Sequence, residues 1–94
     1  MKKYKLATTS KFRKEYKKML KRNYDPTLLE TIVDMLLDGQ ELPQKNCDHE
    51  LTGNLDGYRE CHIQPDWLLI YKVHDDILVL TLTRTGTHSD LFNK

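Results

Sequence analysis

From Tyr58 to Thr83 three extended runs follow one another with only tight turns between them: Tyr58 to Ile63, Trp67 to Val73 and Ile77 to Thr83. Turn residues at Gln64-Pro65-Asp66 and Asp75-Asp76 separate them, so the spacing predicts an antiparallel meander. A meander with an apolar face must bury that face against something, and the sequence before it supplies two amphipathic helices. These features point to an α+β domain, an N-terminal strand and an antiparallel helix pair packed on one face of an antiparallel sheet of about four strands. The opposite face of the sheet is left open for a ligand.

The helices can be read residue by residue. Phe12, Tyr16, Met19 and Leu20 form one apolar stripe, while Lys11, Arg13, Lys14, Lys17, Lys18 and Lys21 occupy the remainder, so the helix is basic outside. Thr9 or Ser10 offers the hydroxyl that caps its first amides. Asn23-Tyr24-Asp25-Pro26 ends it and starts the next helix, because Asp25 can cap and a proline costs no hydrogen bond in a first turn. Leu28, Leu29, Ile32, Val33, Leu36 and Leu37 make a wide apolar face, Glu30, Asp34 and Asp38 an acidic one, and Gly39 stops the helix. Ahead of them Tyr4 to Thr8 reads as a short strand. From Gln40 to Gly57 periodicity disappears, which predicts a long loop carrying His49, and long ordered loops in small domains are often functional.

With 94 residues, the chain has room for one core, so residues 1–94 are read as a single domain. No apolar run approaches the roughly 20 residues of a membrane helix, and the basic start has no apolar segment behind it. A cytoplasmic location and free thiols at Cys47 and Cys61 are the corresponding expectations. A zinc site built from these cysteines with His49 and His62 lacks the usual paired spacing. The net charge of +1 conceals an asymmetry: ten of the 15 Lys and Arg fall within the first 22 residues, where Glu15 is the lone acid. Such a block suits a polyanion or an acidic partner, or a solvated helix face.

Chemistry concentrates in the last third. Histidine can take and give a proton near neutrality, and His49, His62 and His88 fall near strand ends or loops. Two histidines flanking one phosphate suffice for RNA cleavage: one takes the 2′-OH proton, the other protonates the departing 5′-oxygen, each step typically worth about a hundred- to ten-thousand-fold. RNA carries its own nucleophile, so no cofactor, catalytic Ser, Cys or metal is required. Asp66 can orient a histidine, Arg84 can hold a phosphate oxygen, and Trp67 and Phe92 can stack on bases or fill the core. His74, beside a hairpin turn, reads as a structural residue. Alternation sets Arg84 on the side of Leu80 and Leu82, which should face the helices; a strand end at Thr83 or a bulge would release it.

Three segments carry a resemblance: Gly57-Tyr58-Arg59-Glu60-Cys61-His62-Ile63, Pro65-Asp66-Trp67-Leu68-Leu69-Ile70-Tyr71-Lys72 and Arg84-Thr85-Gly86-Thr87-His88-Ser89-Asp90-Leu91-Phe92. With them the chain resembles the YafQ branch of the RelE superfamily of bacterial toxins, over nearly its whole length. The resemblance implies a small microbial-ribonuclease-like fold and a ribosome-dependent, metal-independent endoribonuclease that cuts mRNA in the ribosomal A site and so inhibits translation. It carries over His49, His62, Asp66, Trp67, Arg84, His88 and Phe92 as functional positions. The partners it implies are the 70S ribosome with its mRNA and a cognate antitoxin of ribbon-helix-helix type, operator DNA being met only through the antitoxin complex. Lys11, Lys14 and Lys18 are candidates for docking on ribosomal RNA. Two other readings are a ParE-like, non-nucleolytic toxin that binds DNA gyrase and a basic RNA- or ribosome-binding module.

Overall fold

A computed structural model describes residues 2–92; Met1, Asn93 and Lys94 lie outside the described residues. Strand β1 (Lys5–Thr8) leads into helices α1 (Ser10–Lys21) and α2 (Pro26–Leu37). A loop follows with single helical turns at Gln44–Asn46 and Gly53–Leu55 and a two-residue strand β2 (His49–Glu50) between them. The meander β3 (Arg59–Gln64), β4 (Trp67–His74) and β5 (Val79–Gly86) ends in a short helix, α3 (His88–Phe92).

Local chemistry sets the helix ends. Thr9 accepts the Phe12 N–H through its hydroxyl at 2.9 Å, and Asp25 accepts the Thr27 N–H at 3.0 Å ahead of Pro26. Gly39 follows α2 at φ 77, the left-handed conformation in which a side chain would be strained. Both helices bury their apolar faces, Phe12 and Met19 from α1 and Leu29, Ile32, Val33, Leu36 and Leu37 from α2. Leu20, at the margin of the first stripe, is 38% exposed.

The α+β class holds, with two corrections to the sheet. It has five strands in the order β1-β5-β4-β3-β2, because His49 and Glu50 pair with Glu60 and Arg59 across the loop. It is also mixed, since β1 runs parallel to its neighbour β5. The chain can reach a parallel alignment here because α1, α2 and the whole meander intervene between the two strands.

One irregularity decides which way the end of β5 faces. Leu82 pairs with Tyr71 but Arg84 pairs with Ile70, so Thr83 is an extra residue without a partner on β4. Before this bulge Leu80 and Leu82 point into the core with Tyr71. After it Thr85 points inward with Leu69, and Arg84 takes the other face with Ile70. The strand therefore continues to Gly86, and a bulge, not a strand end, turns Arg84 away from Leu82.

Candidate active site

Directly opposed residues of an antiparallel sheet share a face, which assembles the site in two rows. Across β2, β3, β4 and β5 run His49, Glu60, Ile70 and Arg84; the next row holds His62, Leu68 and Gly86. His88 begins α3 just past Gly86. The rings of His62 and His88 meet edge to face with centroids 5.9 Å apart, and Phe92, one turn along α3, lies 6.2 Å from His88. His88 is exposed and His62 half-buried, so the pair opens to solvent. Two imidazoles held this close to each other and to an aromatic ring can bracket one phosphate.

Each partner of the pair is held from behind. Asn46 donates its side-chain N–H to the His62 carbonyl at 2.7 Å, where the β3–β4 register shifts between His62 and Gln64. The short α3 buries no residue, and Asp90 anchors it. The Asp90 carboxylate accepts the Thr87 N–H at 3.0 Å and both Arg22 terminal nitrogens, at 2.7 and 3.2 Å, while Thr87 Oγ1 accepts the Asp90 N–H. The Arg22 guanidinium and then the Thr87 amide hold the Asp90 carboxyl well below the usual carboxylate range. Gly86 is required beside it, because a Cβ there would stand 2.9 Å from the Asp90 Cβ.

The other anticipated residues fall out differently. His49 is exposed on β2; its Nδ1 donates to the Cys47 carbonyl at 2.8 Å and its Nε2 faces Glu60 Oε1 at 3.6 Å. Asp66 is exposed in the β3–β4 turn and makes no hydrogen bond to a histidine among the described residues. Trp67 is 0% exposed. Its Nε1 donates to Thr85 Oγ1 at 2.8 Å, and its ring meets Tyr24 edge to face at 5.3 Å, so it is a core residue with no face for a base. Arg84 is ion-paired: Nε and Nη2 donate to the Glu15 carboxylate, Nη2 at 2.5 Å from Oε2. Lys11, Lys14 and Lys18 are exposed along α1, with Lys18 Nζ 3.9 Å from Asp90. Cys47 and Cys61 are free thiols, and burial pushes the Cys61 thiol far up, leaving it inert.

Sequence reasoning alone does not single out Glu15, Glu60 or Asp90. Glu15 carries a signal, as the lone acid in a basic segment. Glu60 and Asp90 carry none, since their partners lie across the sheet or 68 residues away.

The helix pair thus packs on one sheet face, and the paired histidines lie at the end of the other. The family described as "Bacterial toxin of type II toxin-antitoxin system, YafQ" matches residues 4–93, and the chain belongs to it. The "mRNA interferase toxin YafQ" of Escherichia coli (strain K12) is 39% identical over 85 residues, covering 89% of this chain and 90% of that protein. The crystal structure of YafQ from E. coli strain BL21(DE3) superposes with a TM-score of 0.88 at 36% identity, covering 95% and 98% of the two chains. The E. coli DinJ–YafQ toxin–antitoxin complex contains a chain that superposes with a TM-score of 0.87 at 36% identity, covering 96% and 98%.

Proposed function

We propose that this toxin, an endoribonuclease of the mRNA interferase kind, cuts mRNA in the A site of the 70S ribosome without a metal, by attack of the ribose 2′-OH on the adjacent phosphorus. The observation that carries the reading is the His62–His88 pair, half-buried and exposed respectively, with ring centroids 5.9 Å apart. One imidazole removes the 2′-OH proton while the other protonates the departing 5′-oxygen. Phe92, against His88, stacks on a neighbouring base. Arg84 offers its Nη1 edge to a non-bridging phosphate oxygen as charge grows there. His49 and Asp66 assist from the rim, and Trp67 acts only by holding β4 and β5 together.

The basic face of α1, with Lys11, Lys14 and Lys18, docks on ribosomal RNA in a cytoplasmic setting. Outside the ribosome a cognate antitoxin, as DinJ is to YafQ, covers the site; a ribbon-helix-helix half would give that complex its hold on operator DNA. Primer extension on ribosome-bound mRNA tests the chemistry. Wild type should cut within A-site codons with or without EDTA, and His88→Ala should lose at least a hundredfold in rate, in line with about 10² or more for one proton-transfer group. Equal cutting by the two proteins, or loss of wild-type cutting in EDTA, would sink the mechanism.

A further inference from the structure

The ion pair between Glu15 and Arg84 joins the basic helix to the catalytic strand, and its surroundings explain why an acid stands there. Strand β1 pairs with β5 only as far as Thr8 opposite Leu82. Beyond that point β5 has no strand on its outer edge among the described residues, and Thr9 and α1 take over its hydrogen bonds. The Thr9 N–H donates to the Leu82 carbonyl at 3.1 Å, the Thr9 hydroxyl to the Thr83 carbonyl at 2.7 Å, and the Thr85 N–H to Glu15 Oε1 at 3.2 Å. The Glu15 carboxylate thus completes the edge of the bulged segment while also receiving Arg84.

We infer that Glu15 is the positioning residue of Arg84 in the proposed cleavage, holding Nε and Nη2 in one geometry so that Nη1 is left to meet the substrate. This rests on the function proposed above. Three features support it. The carboxylate receives two adjacent nitrogens of the guanidinium, Nε at 3.2 and 3.3 Å and Nη2 at 2.5 Å, a fork that removes rotation about the last side-chain bonds. Both side chains are largely buried, at 24% and 17% exposure, so the pair is screened less than a surface one. Nη1 makes no hydrogen bond among the described residues, which leaves one edge of the fork for a phosphate. A guanidinium without Glu15 would have the remaining conformations of a long side chain, and a misplacement of about 1 Å can cost on the order of a hundredfold.

The sign of the charge separates this role from docking. Glu15 sits among Lys11, Lys14 and Lys18 on α1, so Glu15→Gln makes the helix more positive and should leave ribosome binding equal or tighter. Cutting should move the other way.

The test is primer extension at limiting and saturating 70S ribosomes with wild type, Glu15→Gln, Arg84→Ala and the double variant, each checked for thermal unfolding. Glu15→Gln is expected to lower the saturating rate about tenfold and Arg84→Ala about a hundredfold, and the double should be no slower than Arg84→Ala. A wild-type rate for Glu15→Gln, a loss confined to ribosome affinity, or losses that multiply in the double would overturn the inference. Should Glu15→Gln fail to fold, Arg84→Lys carries the same test: it keeps the charge and loses the fork, and a wild-type rate from it would equally overturn the inference. If Arg84→Ala and His88→Ala both cut like wild type, the proposed chemistry itself fails. If they are slow and folded Glu15→Gln is not, only the role of Glu15 fails.

Discussion

Replacing Trp67 with Phe separates stacking from packing. The change keeps an aromatic ring, and with it any ability to stack on a base, but removes the indole N–H and part of the ring volume. In the structure the indole is 0% exposed and its Nε1 donates to Thr85 Oγ1, which in turn donates to the Leu68 carbonyl at 2.7 Å. Losing one buried hydrogen bond costs about 1 kcal/mol. The unfilled space adds about 1 to 2 kcal/mol, below the roughly 3 to 5 kcal/mol of a full Trp to Ala truncation. Since 1 kcal/mol moves the midpoint of a domain this size by about 4 to 8 °C, a Tm drop on the order of 10 °C is expected. Far-UV circular dichroism is the right probe, because the substitution removes the chain's one Trp. Primer extension run well below both midpoints should then show cutting close to wild type per folded molecule. An unchanged Tm with cutting abolished would refute the packing argument and restore Trp67 to the RNA-contacting set.

Two further outcomes follow from the charges. The Asp90 carboxyl is held below its ordinary value, so its contribution is complete above the unfolded-state value near about 4 and is lost as pH falls through the folded-state value. Asp90→Asn should therefore be less stable than wild type by about 1 kcal/mol at pH 7, allowing for partial exposure, with the gap closing on acidification below about pH 4; a pH-independent gap would refute this. Binding of the His88→Ala protein to ribosomes should weaken steeply with salt, and changing Lys11, Lys14 and Lys18 together to Ala should flatten the slope by about two to three, one for each phosphate that the lysines no longer neutralise. An unchanged slope would remove α1 from the docking surface.

Much of this was legible in the chain. Thr9, Asp25-Pro26 and Gly39 marked the helix ends because capping is a contract among residues within one turn. The apolar stripes assigned the buried faces, and turn residues located the three strands of the meander. Of the residues singled out together, His49, His62, Asp66, Trp67, Arg84, His88 and Phe92, the fold brings the His88 ring against those of His62 and Phe92 and sends Trp67 into the core. What failed to show depended on contacts remote in sequence. Parallel pairing of β1 with β5, and the two-residue β2, are choices of neighbour that no local pattern encodes. Alternation placed Arg84 wrongly, since one extra residue at Thr83 inverts every side chain after it.

By itself, then, the sequence determined the elements, their amphipathic faces and the residue types brought to the open end of the sheet, because propensity, periodicity and capping act over a few residues. Tertiary structure alone decided three contacts. It sent Trp67 into the core because Thr85 and Tyr24 receive it there, tied α3 to α1 through Asp90 and Arg22, and delivered Glu15 to Arg84 where β5 runs out of strand to pair with. Each is a contact between groups whose chemistry was visible in the chain but whose proximity only the packed sheet and helix could create.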